Sequence, residues 1–600
     1  MKYKSTIDVI NDLEKHGHLV RIKEEVDPNL EMAAIHLRVF EKGGPAILFE
    51  NIKGCEFQAV SNLFGTIERS KFIFRDNFEK VQQLIAFKDN PLAALKSPMK
   101  NFSLGLLAQK ALPKKKGNIS DFKEISIDQL PLIKCWPDDG GAFITLPQVY
   151  SEDPSNPGVM NSNLGMYRIQ LNGNDYETNK EVGLHYQIHR GIGVHQQKAN
   201  ELGKPLKVSI FVGGHPAHTL AAVMPLPEEI SELTFGGALA GKQFNYFYEK
   251  GYCIAADADF VITGEVYPND TKPEGPFGDH LGYYSLTHDF PVMKIHKVYA
   301  KKDAIWPFTV VGRPPQEDTQ FGALIHELAG SALPKEIPGL HEVNAVDAAG
   351  VHPLLLSIGS ERYTPYQKTK QPQELLTIAN HILGSGQLSL AKYLFITNKA
   401  DNPNINCNNI EDFFIHLLER VDWKRDLHFH TNTTIDTLDY SGSGLNTGSK
   451  VVIAAVGEAR RMLSVECRIK NAKLVLPGII ALTEQAFTSY ENATNELETI
   501  TQQLSTNNLE GIMLIVLCDD ASFVSGSLNN FLWTTFTRSN PAKDIYGVDS
   551  FTEHKHWGCN GPLIIDARSK PHHAPALIKD AEVEKRVDQL FKNGSLSHLS

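Results

Sequence analysis

Cysteine is scarce in this chain, with seven in 600 residues. Cys55, Cys135, Cys253, Cys407, Cys467, Cys518 and Cys559 lie far apart, and no pair has zinc-knuckle or redox spacing. Several sit in apolar runs and read as buried thiols, which fits a reducing cytoplasm. No uncharged apolar run reaches about 18 residues, so no spanning helix is expected. The start, Met1-Lys-Tyr-Lys-Ser-Thr-Ile7, lacks the apolar core and cleavage site of a signal peptide. Positive charge is also in deficit. The net charge of -11 argues against a broad nucleic-acid surface. The one basic run, Lys114-Lys115-Lys116, lies between Pro113 and Gly117 and reads as a solvated loop. No His-Glu-x-x-His and no Gly-x-Ser-x-Gly elbow occurs. Ser441 to Lys450 resembles a phosphate cradle, yet its Gly-Ser-Lys reverses the Walker order, so only a backbone nest stays open.

Hydrophobic content of 42% and charged content of 22% are those of an ordinary globular protein. The length is too great for one core, so three or four domains are expected. Residues 5–50 read as helix, strand, helix, strand. Thr6 or Asp8 caps the first helix, Gly17 ends it, and Asp27-Pro28 opens the second. A linker is expected near 90–120. From about 130 to 315, short β-rich runs alternate with Gly and Pro, as in a barrel or sandwich. After about 320 the α/β texture returns and suggests an internal duplication. Leu394-Phe-Ile-Thr397, a helix over 409–421 and Trp423-Lys-Arg-Asp426 have a second version about 120 residues later. There Met513 to Leu517, a helix over 528–537 and Asn540 to Asp544 follow in the same order. Chance likeness of two common β-loop-α units is the alternative.

The chemistry concentrates between Asn163 and Asp279. Asn163, His189 and Glu232 offer amide, imidazole and carboxylate donors suited to Mn²⁺ or Mg²⁺, although any long chain contains such triples. Arg168 suits a planar carboxylate through two parallel hydrogen bonds, and it could equally be a surface arginine. It lies five residues after Asn163, so strand alternation puts the two on opposite faces unless a bulge intervenes. Glu274-Gly-Pro-Phe-Gly-Asp279 is a tight turn that can present both acids to one cavity. Two neighbouring carboxylates do not both ionise cheaply, so one tends to keep a proton. A polar loop with two solvated acids is the plain alternative.

These segments resemble the UbiD family of prenylated-FMN-dependent decarboxylases. The resemblance rests on Val26 to Glu31, Gly43 to Asn51, Asn62 to Thr66, Cys135-Trp-Pro-Asp-Asp139, Asn163-Leu-Gly-Met-Tyr-Arg168, His189-Arg-Gly191, Pro273 to His280 and Gly312-Arg-Pro-Pro315. It implies an α+β fold with a central split β-barrel that binds the flavin. An α/β N-terminal region and a C-terminal α/β domain flank it. With the duplication, the expected segments are 1–125, 126–325, 326–460 and 461–600. By position, Asn163, His189 and Glu232 look like Mn²⁺ ligands, with K⁺ near Met224. Met166, Tyr167, Arg168, His185, Tyr186, Gln187, Arg190 and Gly191 look like cofactor contacts. Arg168, Glu274 and Asp279 resemble the family's catalytic set. For the phosphate-side lysine, Lys450 is favoured over Lys570; solvation of both is the alternative.

The implied activity is reversible, non-oxidative decarboxylation of an aromatic or α,β-unsaturated acid. The first candidate is a 4-hydroxybenzoate-like acid, prenylated or not, in ubiquinone or menaquinone biosynthesis. The flavin would act as electron sink, Arg168 would orient the carboxylate, and Asp279 would be the general acid tuned by Glu274. A flavin prenyltransferase would supply the cofactor. A cytoplasmic homo-oligomer is expected, with peripheral membrane association if the substrate is prenylated. The rivals are a flavin-binding subunit of a multi-component (de)carboxylase and a metal-dependent hydrolase.

Overall fold

The computed structural model describes residues 3–89, 110–186, 191–226, 231–329, 337–363, 366–367, 370–505, 509–594 and 596–599. The expected linker falls largely on 90–109, outside the described residues. The chain forms two compact units. The first holds Met1–Asp279, Tyr283–Gly330 and Ala576–Ser600, and the second holds His280–Gly282 and Ser331–Pro575.

The first unit begins with helix Thr6–Lys15, which buries Val9, Ile10 and Leu13 on one face. Gly17, at φ +76°, turns the chain out of it. The residue before this helix is Ser5, which makes no side-chain cap. The second helix, Glu31–Glu41, starts later than Asp27-Pro28 predicts. Asp27 instead accepts the Asn29 N–H at 2.9 Å, and Glu31 accepts the Asp27 N–H at 2.9 Å, which holds a turn in front of the helix. Strands Leu19–Val26, Ala46–Ile52, Gln58–Ser61 and Ile305–Phe308 form a four-stranded sheet in that order. Helix Ala581–Asn593 belongs here too, through Arg38 to Glu584 and Asp588, both at 2.5 Å.

The rest of this unit is built on a curled, half-barrel sheet of nine strands. Its path runs Phe143–Ile144, Ile169–Gln170, Glu181–Leu184, His288–Lys301, Phe260–Glu274, Leu206–Val212, Gln148–Glu152, Ser162–Gly165, with Phe122–Ile125 also pairing His288–Lys301. The two long strands pair antiparallel with register shifts at Thr263/Gly264 and Val266/Thr271. Such irregularities bend a sheet. Val208, Ile210, Val212, Ile262 and Val298 fill its inner face. Lys114–Lys115 is a short strand rather than a loop, although its side chains are exposed. The Lys114 and Lys116 N–H groups donate to the Phe244 and Tyr246 carbonyls, which recruits this basic run to the edge of a separate three-stranded sheet with Asn245–Glu249 and Tyr252–Ala255.

The second unit contains two five-stranded sheets of one topology. The first runs Leu340–Ala345, Leu354–Gly359, Tyr393–Asn398, Gly448–Ala455, Leu427–Thr433. The second runs Ala472–Leu476, Ile479–Thr483, Leu514–Cys518, Leu563–Asp566, Ile545–Gly547. In each the outer pairings are antiparallel and the two inner ones parallel. The turn that enters the antiparallel edge strand Leu427–Thr433 or Ile545–Gly547 is tied the same way in each. Asp426 accepts the Asp422 N–H at 2.8 Å, and Asp544 accepts the Asn540 N–H at 2.7 Å. The second sheet differs by an inserted hairpin, Ser550–Glu553 with His556–Cys559.

Candidate functional site

Strand Phe260–Glu274 ends in the turn that carries both acids. Gly275 sits at φ +90°, a region open to glycine and costly for other residues. Its N–H donates to Gln170 Oε1 at 2.9 Å, and Gly278 N–H donates to Asp139 Oδ1 at 2.8 Å. A Cβ on Gly278 would fall 2.1 Å from the Trp136 ring. The Cys135 to Asp139 segment is thus the cradle of this turn. Burial pushes the Asp139 carboxyl up to about 6, against the pull of the Gly278, Trp136 and Cys135 N–H groups.

Arg168 comes to the same place from a break in the sheet. Strand Ser162–Gly165 stops, and strand Ile169–Gln170 resumes three residues later. Within the break the Met166 N–H donates to the Ala222 carbonyl at 2.9 Å. Strict alternation from Asn163 therefore does not govern Arg168. Its Nε and Nη2 donate to the two Glu274 oxygens at 2.8 Å each. Nη1 donates to Asp279 Oδ2 at 2.5 Å, and Nη2 also donates to Ser285 Oγ at 2.8 Å. The Phe277 ring lies 4.7 Å from the guanidinium carbon. One guanidinium thereby joins both acids. Burial would raise the Glu274 carboxyl, but the charge and hydrogen bonds of Arg168, with His185, hold it down at about 2. Glu274 is thereby held as an anion. His185 Nδ1 stands 3.1 Å from Glu274 Oε2, and its ring packs on Phe290 at 4.1 Å. Burial, then the Arg168 charge, lowers the affinity of His185 for a proton.

Glu232 lies against the backbone next to Asn163. The Leu164 N–H donates to Glu232 Oε2 at 3.4 Å, and Glu232 is the first residue of helix Glu232–Ala240. Glu232 is half-buried, its carboxyl is raised by burial, and it makes no ion pair among the described residues. A carboxylate so placed suits a cation. A Cβ on Gly191 would fall 2.1 Å from Asn163 Oδ1, so glycine lets the amide approach the start of helix Gly191–Glu201. His189, Gln187 and Arg190 lie outside the described residues. Tyr167 and Tyr186 face each other edge-on with centroids 6.1 Å apart, and Met166 packs on an adjoining apolar cluster. Met224 is buried after helix Pro216–Ala221.

Lys450 and Lys570 are both in the second unit and both buried, so neither is a solvated lysine. Lys450 Nζ donates to the Ser389 carbonyl, and burial lowers its pKa to about 8. Lys570 Nζ donates to the Asp566 and Arg568 carbonyls at 3.0 and 3.4 Å. The space at Gly448 is filled by Ile435, and Gly444 has open surroundings. Sequence reasoning misses Ser285, Phe277 and Asp139 as parts of the site. Asp139 closes the Cys135-Trp-Pro-Asp-Asp139 motif and could have been found there, whereas Ser285 carries no sequence signal.

Comparison with known proteins shows the family. The N-terminal, Rift-related and C-terminal domains of 3-octaprenyl-4-hydroxybenzoate carboxy-lyase match residues 10–88, 108–314 and 319–455. A Chlamydia pneumoniae protein, named as one of the subunits of a 4-hydroxybenzoate decarboxylase, is 37% identical over 585 residues, 95% of each chain. The chain belongs to the UbiD family. Members of that family are carboxy-lyases, and this chain is one of them. The fold is also that of vanillic acid decarboxylase from Sedimentibacter hydroxybenzoicus in closed form. That structure has a TM-score of 0.63 and 22% identity, covering 84% of this chain and 99% of the other. The UbiD-class enzyme HmfF from Pelotomaculum thermopropionicum, solved with FMN, has a TM-score of 0.58 and 20% identity, covering 75% and 94%. The matched family domains stop at 455, so the second five-stranded sheet lies beyond them. No helix among the described residues is long and apolar enough to cross a membrane.

Proposed function

We propose that this UbiD-family chain removes carbon dioxide from an aromatic acid of the 4-hydroxybenzoate type, with prenylated FMN and Mn²⁺ bound. The observation that carries the reading is the single guanidinium of Arg168 shared by Glu274 and Asp279. The substrate class is supported by the name of the chlamydial relative. When bound, the modified flavin supplies an electron sink for the breaking bond. Asn163 and Glu232, with His189, would hold the metal ion. Arg168 keeps Glu274 anionic and fixes the orientation of Asp279. Asp279 then gives a proton to the ring carbon that carried the carboxylate. The C–C bond breaks, carbon dioxide leaves and a C–H bond forms. A place in quinone biosynthesis follows if the substrate carries a prenyl chain.

A second reading is that this chain is one subunit of a multi-component decarboxylase. It is favoured by the chlamydial relative, whose name makes it a part of a larger enzyme, and by the two-component vanillic acid decarboxylase. One experiment separates the two. The chain, co-produced with a flavin prenyltransferase and purified alone, is incubated with 4-hydroxybenzoate and with its 3-prenyl derivative. Phenol and carbon dioxide release by the lone chain supports the first reading. Activity that needs a second protein supports the other. A flavin-loaded protein inert on every aromatic acid, with any partner added, overturns both.

A further inference from the structure

We propose that His280, His352 and Asp436 form a binding site for a divalent transition-metal ion, zinc foremost, within the second unit. One ligand atom from each residue lies within 4.8 Å of the others. The three come from separate stretches: the short segment His280–Gly282, the turn before strand Leu354–Gly359, and the loop after strand Leu427–Thr433. Asp436 is 4% exposed. Its Oδ2 faces His352 Nδ1, and its Oδ1 accepts the Leu438 N–H at 2.8 Å, which fixes the carboxylate plane. The His280 and His352 rings stand nearly perpendicular, with centroids 6.5 Å apart.

The backbone behind the three side chains is fixed. The His352 N–H donates to the Gly350 carbonyl at 2.9 Å, and the His352 carbonyl accepts the Lys392 N–H at 3.2 Å. Trp533 Nε1 donates to the Leu281 carbonyl at 2.8 Å. A Cβ on Gly350, itself at φ +86°, would fall 2.2 Å from Leu281 Cδ2, so glycine lets the two ligand-bearing turns close together. Supporting contacts of this kind orient metal ligands. Two imidazoles and one carboxylate select zinc, cobalt or iron(II) over magnesium and calcium, which take oxygen ligands. On binding, the His352–Asp436 hydrogen bond would open to about 3.3 Å, the edge of a tetrahedron with bonds of about 2.0–2.1 Å. The fourth position would hold water. The ligands share no residue with the Asn163, His189 and Glu232 set. His280 is joined by one peptide bond to Asp279, so a metal here would tether the chain next to that acid.

The test uses the full chain, wild type and Glu232→Ala, stripped with a chelator and titrated with Zn²⁺ or Co²⁺. Metal content is read by mass spectrometry and cobalt geometry by visible absorbance. The expected result is one ion per chain retained in Glu232→Ala, with tetrahedral cobalt bands. His280→Asn and His352→Asn should weaken that ion by at least about 10–100-fold, the range seen even for outer partners of metal ligands. Circular dichroism identifies which variants fold, and His280→Asn, whose residue is less enclosed than Asp436, carries the test if the others do not. Equal zinc affinity in a folded variant and in Glu232→Ala would overturn the site. So would failure of stripped Glu232→Ala to take up either metal, which would leave a plain His–Asp ion pair.

Discussion

Arg168 grips Glu274 through two parallel hydrogen bonds, Nε to Oε1 and Nη2 to Oε2, each 2.8 Å long. The remaining nitrogen reaches Asp279. The arginine is therefore less a hook waiting for a substrate carboxylate than a fixed link between two acids of unequal standing. Glu274 loses its ability to hold a proton, and in the proposed reaction the acid role would fall to Asp279.

Arg168→Lys tests that link. An ammonium keeps the charge but not the planar fork. The expected loss in kcat/KM is roughly 10–100-fold, matching one charge-assisted hydrogen bond of about 1.5–3 kcal/mol. The acid limb of the pH–rate profile should also move upward as Glu274 recovers proton affinity. Unchanged kinetics at all pH values would contradict the link.

Asp279→Asn keeps the shape and removes the proton. Turnover should fall roughly 10²–10⁴-fold, the usual weight of general acid catalysis. Flavin absorbance should persist. Near-normal carbon dioxide release, followed by gas chromatography, would assign the proton to another group.

Glu232→Ala should lose Mn²⁺ and most of the flavin together, if Glu232 holds the ion and the ion helps to retain the flavin. Metal analysis and the flavin spectrum of the purified variant decide this. Full flavin retention without manganese would show that the two bind independently and contradict this role.

Stability should carry the mark of Glu274. Its carboxyl is near 2 in the folded chain, against an ordinary value of about 4.3 in an unfolded one. A depressed pKa contributes stability that is present above about pH 4.3 and is lost as the pH falls toward 2. Denaturant titrations between pH 5 and pH 2, at about half-unit steps, should show a shallower acid loss for Glu274→Gln than for the wild type. Parallel curves would mean that the pairing does not survive in solution.

The sequence is explicit about some of this and silent on the rest. Gly275 and Gly278 announce a tight turn, and the turn does bring Glu274 and Asp279 to one guanidinium. The alternation argument for Arg168 depends on an unbroken strand, and the break at Met166 is set by a carbonyl of Ala222, far away in sequence. Ser285 reaches Arg168 across the hairpin, a register no local pattern encodes. Helix Glu31–Glu41 starts late because Asp27 bonds its own turn. Lys114 and Lys115 look solvated by composition and are exposed, yet their backbone joins a sheet that only tertiary pairing reveals. The shared strand order of the two C-terminal sheets is legible in the order of elements while residue identity stays thin, since a buried strand constrains polarity and size more than identity.

The ion pairs from Arg38 to Glu584 and Asp588 join residues 546 and 550 positions apart. At about 5–20 residues per second, a ribosome needs on the order of 30–100 s to travel between them. Throughout that interval the face of helix Glu31–Glu41 that receives helix Ala581–Asn593 is uncovered, while the whole second unit is being synthesised. The newborn chain therefore carries this face open for far longer than its local elements take to form.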